Sequence, residues 1–131
     1  MAVDRVARAR RLDGWVPLLE TALEAARADA DQHGESRVLN VLGWILFEEG
    51  RIPEALTHLR AACALASRAG DAVAEANALV VVAMAQAALG SLDEAAQGCE
   101  RAVELARQAG DRTIEKLAMQ HLARRWADAG K

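Results

Sequence analysis

The sequence predicts an all-α protein of 131 residues, and three observations support this fold class. Glycines recur along the chain at nearly constant spacing. The segments between them are rich in Ala, Leu, Glu and Arg, which favour helices. One segment is also present twice: "GRIPEALTHLRAACALASRAGD", at 50–71, returns at an offset of 40 as "GSLDEAAQGCERAVELARQAGD", at 90–111. A repeated, glycine-punctuated helical sequence predicts a stack of helical hairpins.

Seven of the nine glycines mark the expected helix ends: Gly14, Gly34, Gly50, Gly70, Gly90, Gly110 and Gly130. Glycine is favoured just beyond a helix C-terminus because it adopts the left-handed conformation without steric cost. The spacing is 20 residues, except for a gap of 16 between Gly34 and Gly50. We therefore predict seven helices in helix–turn–helix pairs, with the last helix unpaired. The missing four residues are close to one helical turn, so they shorten one helix without changing its buried face.

Helix starts are also marked in the sequence. Pro17 and Pro53 each lie three residues beyond a glycine, where the first turn of a helix tolerates proline. Ser91 and Glu94 have the spacing of a capping box at the equivalent place in the next unit. We predict a single domain over 1–131, with repeats at 1–34, 35–70 and 71–110 and an unpaired C-terminal helix at 111–131.

Within these units the pattern resembles the tetratricopeptide repeat. "LNVLGWILFEEG" supplies the pattern of its first helix, and Ala55, Leu59 and Ala62 supply the small–large–small pattern of its second. The later unit repeats both, with Ala83 and Cys99 at central positions. The long units are similar to those of kinesin light chain and of bacterial signalling regulators. The resemblance implies a right-handed α-α superhelix of about three helix pairs plus a C-terminal helix.

The resemblance also implies a concave groove lined by the first helix of each pair. Its candidate binding residues are Asp4, Arg8, Arg11, Arg37, Asn40, Trp44, Phe47, Asn77, Val80, Met84, Ala87, Gln120 and Arg124. This surface is apolar at its centre and basic at both ends. It fits a peptide with an apolar anchor and acidic flanks, and Asn40 and Asn77 are placed to bond its main chain. The alternative is that the aromatic side chains fill the groove and the arginines are ordinary solvated charges.

Composition narrows the function classes. A net charge of −3 argues against a nucleic-acid partner, and no apolar run is long enough to span a membrane. Cys63 and Cys99 form no disulfide framework, so we expect a cytoplasmic protein with reduced thiols. The three histidines are scattered and every glycine of the series is explained by a turn, so we predict no metal, no cofactor and no catalytic residues.

The C-terminal helix carries Met119, Leu122 and Trp126 on a face that no later helix covers, which suggests self-association as a homodimer. Packing of this face onto the preceding unit is the alternative, and Arg124, Arg125 and Asp128 are expected on the outer face. The predicted function is a non-catalytic protein–protein interaction module. The alternative function is a ligand-sensing or oligomerisation segment of a larger bacterial signalling or transcription regulator.

Overall fold

A computed structural model describes residues 14–130, and this part of the chain is all-helical. It contains six helices: α1 (Val16–Ala28), α2 (Gln32–Glu48), α3 (Ile52–Arg68), α4 (Ala72–Ala88), α5 (Leu92–Ala109) and α6 (Arg112–Asp128). The first of the seven predicted helices lies outside the described residues, as do the candidate residues Asp4, Arg8 and Arg11.

Consecutive helices pack against each other throughout the described chain. Alternate helices also meet, because α2 contacts α4 and α4 contacts α6. The core between them contains many fully buried alanines, among them Ala55, Ala62, Ala83 and Ala102. Small side chains let the axes of neighbouring helices approach closely. The contacts between alternate helices place α2, α4 and α6 side by side on one face of the molecule.

The turns between helices repeat a single conformation. Ala30, Gly50, Gly70, Gly90 and Gly110 all have positive φ, and they are spaced by 20 residues. The residue that follows each of them donates its backbone N–H to a carbonyl in the last turn of the preceding helix. Asp71, for example, donates to the Ala66 carbonyl at 2.9 Å. This is the Schellman arrangement, which satisfies carbonyls that a helix end would otherwise leave free.

The glycine-based prediction is wrong at Gly34. This residue lies inside the first turn of α2, and the left-handed residue of that turn is Ala30, with φ 54°. The four missing residues therefore fall between Gly14 and Ala30. They shorten α1, which has 13 residues, and not α2, which has 17. One helix is a turn short, as expected, but it is the helix before the one that the glycines indicated.

Aspartates begin alternate helices. The side chains of Asp31, Asp71 and Asp111 each accept a hydrogen bond of 3.0 Å from a backbone N–H of the first turn of α2, α4 and α6. The capping box predicted at Ser91 is absent, since this side chain makes no cap bond. Glu94 instead accepts a bond from the Gln86 side chain at 3.5 Å, which ties the start of α5 to the end of α4.

Gly43 sets the closest approach of α2 to α3. A Cβ at this position would lie 2.5 Å from Cγ of Leu59, which is fully buried. At an offset of 40 the corresponding residues are Ala83 on α4 and Cys99 on α5, both fully buried in one core cluster. The two hairpins thus fill the same space with different pairs of side chains.

None of the six helices, within residues 14–130, combines the length and the apolar character that a bilayer crossing requires.

Candidate functional site: a cleft across α2, α4 and α6

A cleft runs along the face where α2, α4 and α6 lie side by side. Its first half has a volume of about 440 Å³ between the N-terminal parts of α2 and α4. Its second half, of about 370 Å³, extends over the middle of α2 and α4 to α6. The halves are continuous because Asn40, Val41 and Asn77 line both of them.

The 40-residue period explains why these side chains meet. Val41, Val81 and His121 are separated by two such steps, so they take the same position on α2, α4 and α6. Asn77 and Leu117 are related in the same way. Residues at i, i+3, i+4 and i+7 share one helical face, so each helix contributes a stripe. Three stripes side by side make the wall of the cleft.

The second half is apolar with isolated polar groups. Trp44, Val80, Met84 and Leu117 supply most of its wall. Val80 is only 2% exposed and forms part of the floor. Trp44 is half-buried and packs against the core cluster that contains Leu46, so the same ring serves both the core and the cleft. Apolar walls with a few polar groups are typical of binding clefts.

Two polar atoms in this half have no hydrogen-bond partner. They are Oδ1 of Asn40 and Nδ1 of His121, and both are buried. Burial, followed by the nearby charges of Arg125 and Arg124, lowers the pKa of His121 below its ordinary value of 6.5. The imidazole is therefore neutral at neutral pH. A buried polar atom without a partner is costly, so a ligand that bonds these atoms gains more than it would at an exposed site.

The first half of the cleft is polar at its edge. Exposed Arg37 and half-buried Asp71 face each other across it. A hydrogen bond from the Ala74 N–H, supported by His33, lowers the pKa of Asp71 against the opposing effect of burial. His33 lies 3.1 Å from the Asp71 carboxylate and so ties α2 to α4. This leaves the Arg37 guanidinium without an ion pair among the described residues.

Six of the predicted groove residues line the cleft, namely Arg37, Asn40, Trp44, Asn77, Val80 and Met84. Phe47 does not line it; this side chain packs against the core cluster that α2, α3 and α4 form. Ala87 likewise packs against the core cluster of α4 and α5. On α6, Gln120 lines a separate cavity on the opposite face and Arg124 is exposed outside the cleft.

Sequence reasoning missed Val41, Val81, Leu117 and His121 as cleft residues. The repeat period relates the α6 residues to cleft residues of α4: Leu117 and His121 lie 40 positions after Asn77 and Val81. The prediction named Gln120 and Arg124 as the groove residues of α6 in place of Leu117 and His121. Gln120 and Arg124 also lie 40 positions after cleft residues, Val80 and Met84, so the period alone does not decide which α6 side chains line the cleft.

The C-terminal face differs in part from its prediction. Leu122 is buried against the core of α4 and α5, whereas Met119 is 49% and Trp126 is 41% exposed. Arg125 was expected on the outer face but is 7% exposed. It occupies the position of Ile45 and Ala85 in the earlier units, which face the core. Its Nε has no partner, and its ion pair with Asp128 is long, at 3.4 Å.

The two thiols are poorly suited to reaction. Burial raises the pKa of Cys63 to about 12 and that of Cys99 to about 11. Both are free cysteines that stay protonated at neutral pH. Residues 14–130 also contain no group of three or more His, Cys, Asp and Glu side chains that could hold a metal ion.

Comparison with models of known protein families gives no match, and comparison with curated proteins gives no significant match. The candidate site is therefore defined by its geometry.

Proposed function

We propose that this chain is a non-catalytic protein–protein interaction module that binds an extended peptide segment in the cleft across α2, α4 and α6. The proposal rests on one observation: a continuous cleft that combines an apolar wall with unpartnered amide and imidazole atoms. An extended peptide carries regularly spaced main-chain N–H and C=O groups. It can bond Asn40 and His121 while its side chains enter the apolar half.

The cleft also suggests the chemistry of the partner. A large apolar side chain fits between Trp44, Met84 and Leu117. Arg37 at one end favours an acidic residue of the peptide, and exposed Arg124 lies beyond the other end. Buried apolar anchors supply most of the affinity at such sites, while charges at the rim supply orientation and association rate.

For the fold, we propose a right-handed superhelix of the tetratricopeptide type. The 40-residue period and the contacts of α2 with α4 and of α4 with α6 support it. In such a stack each hairpin contacts only its neighbours, and the first helices form the inner surface. We further propose a cytoplasmic location, with which the two free thiols agree.

A displayed library of random short peptides, selected on the intact chain, tests the function. We expect enrichment of peptides with one large apolar residue flanked by Asp or Glu. The best peptide is then synthesised and titrated by calorimetry against Asn40→Ala, which removes the unpartnered amide, and Val41→Glu. Loss of one amide hydrogen bond should weaken binding by about tenfold. Val41 is 43% exposed and lines both halves, so a carboxylate there should repel the acidic peptide without disturbing the core.

The matched control is Leu89→Glu, since Leu89 is 55% exposed and lies outside the cleft. It should bind like the parent protein. Selection of no peptide, or equal weakening by the control, would count against the cleft as the binding site. Far-UV circular dichroism of each variant separates lost binding from lost fold. Trp44→Ala is less suitable, because the indole also packs against the core.

A further inference from the structure

The outer face of α6 repeats a surface that the earlier hairpins cover with their own second helix. It is lined by Arg112, Glu115, Lys116, Met119, Gln120 and Ala123, around a cavity of about 540 Å³. The residues 40 positions earlier are Ala72, Glu75, Ala76, Leu79, Val80 and Ala83. Ala76, Val80 and Ala83 belong to the core cluster that α4 forms with α5 and α6, and Ala72 and Leu79 pack against that cluster. The same helical face is therefore a helix-binding surface on α4.

The equivalent face of α2 also packs against the second helix of its own hairpin. Gly43, which corresponds to Ala83 and Ala123, receives Leu59 of α3. Within residues 14–130 no helix covers the equivalent surface of α6, where Met119 is 49% exposed. Ala123 keeps the small side chain that permits a close approach. We call this surface, which consists of the six residues that line the cavity together with Trp126, the α6 outer face.

The two ends of the α6 outer face differ in character. Arg112 and Lys116 lie toward the N-terminus of α6 and make no ion pair among the described residues. The Glu115 carboxylate is already bonded by Arg107, at 3.0 Å. Toward the C-terminus the face continues with Ala123 and with Trp126, which is 41% exposed. The face is therefore cationic at one end and aromatic at the other, which is also the negative end of the helix dipole.

Such a face is complementary to itself. When two α6 helices pack antiparallel about a two-fold axis, the cationic half of each meets the C-terminal half of the other. Lys116 then lies over the indole of the second copy's Trp126, a cation–π contact. Arg112 meets the negative end of the partner helix dipole, and Met119 packs beside the small Ala123 of the second copy. A two-fold interface uses each of these contacts twice.

We propose that the α6 outer face binds a second copy of this chain, so that two molecules form an antiparallel α6–α6 dimer. The face lies on the opposite side of α6 from Leu117 and His121, so dimerisation leaves the candidate cleft open. The interface is independent of the proposed function. Either proposal can fail without the other.

Sedimentation equilibrium of the intact chain over a wide concentration range tests this proposal. We expect a reversible monomer–dimer equilibrium. Met119→Lys places two additional charges at the centre of the interface and should raise the dimer dissociation constant by about 100-fold or more. Lys116→Glu removes both cation–π contacts and should raise it by about tenfold. Because both residues are exposed, circular dichroism of the variants should match that of the parent.

Leu18→Lys is the matched control, since Leu18 is an exposed apolar residue on α1, at the other end of the helix stack, and is 65% exposed. This change should leave the dimer dissociation constant unaltered. A parent chain that stays monomeric up to about 1 mM would overturn the proposal. So would a dimer that Leu18→Lys dissociates and Met119→Lys does not.

Discussion

The hairpins α2–α3 and α4–α5 have the same backbone arrangement but fill their centres differently. In the first, Gly43 makes room for a fully buried Leu59. In the second, Ala83 faces the smaller Cys99, and both are fully buried. The extra methyl group on one helix is balanced by a smaller side chain on the other. Each hairpin therefore keeps its helices close with a different pair of residues, in which a larger side chain on one helix goes with a smaller one on the other.

The largest difference between the hairpins should appear when the larger side chain is removed. Leu59→Ala deletes a fully buried side chain that fills the space above Gly43, and should cost about 2–5 kcal/mol in the free energy of unfolding. Cys99→Ala removes one atom from the equivalent place and should cost about 1 kcal/mol. Urea denaturation of both variants measures the difference. Equal losses would show that the two centres are packed alike.

A second change tests the volume balance directly. Gly43→Ala brings a Cβ to 2.5 Å from Cγ of Leu59, and should destabilise the fold by about 1–3 kcal/mol despite the better helix propensity of alanine. Combining it with Leu59→Cys recreates the pair found in the other hairpin. The double variant should be more stable than the sum of the two single changes predicts, by about 0.5 kcal/mol or more in a double-mutant cycle. Strict additivity would argue against compensation.

A smaller effect is expected at the turns. Five turns join the six described helices. The left-handed residue is glycine in four of these turns and Ala30 in the fifth. Ala30→Gly should raise the melting temperature, because it removes a left-handed strain of about 1 kcal/mol. Gly70→Ala is the reverse control: no atom lies within 4 Å of the added Cβ, so its cost is conformational alone. A stabilising Gly70→Ala would contradict the explanation.

The smallest effect concerns an ion pair that the middle unit lacks. Arg27 bonds Glu35 at 3.1 Å, and Arg107 bonds Glu115 at 3.0 Å. The equivalent residues between them are Ser67 and Glu75. Ser67→Arg should add the third pair and stabilise by about 0.2–1 kcal/mol, an effect that high salt reduces. Ser67→Gln is the control of similar length without charge, and it should give less stabilisation at low salt.

Much of the helical organisation follows from the sequence alone. Glycines at 50, 70, 90 and 110 mark four of the five inter-helix turns, because a left-handed turn residue strongly favours glycine. The proline positions identified the starts of α1 and α3. The same reasoning failed at Ala30, since an alanine in the left-handed conformation gives no local signal. The four-residue deletion was therefore assigned to the wrong helix.

The candidate site could be read only in part. The resemblance to the tetratricopeptide repeat implied groove positions for Asn40, Trp44, Asn77 and Met84, and these four side chains line the cleft. Phe47 belongs to the same stripe of α2, yet it lines neither half of the cleft and packs against the core. Neighbouring helices cover one end of a stripe, and which end they cover depends on how the helices cross. The spacing of residues along one helix does not determine that crossing.

The sequence by itself determined the helical class, the 40-residue period and most turns, since these depend on backbone conformation and local spacing. Only the tertiary structure decided which side chains the turns bring into contact. It placed Arg125 in a position that holds Ile45 and Ala85 in the other units, and it separated Leu122 from the exposed Met119. Burial is a property of packed helices, so a residue's own type and neighbours in sequence do not fix it.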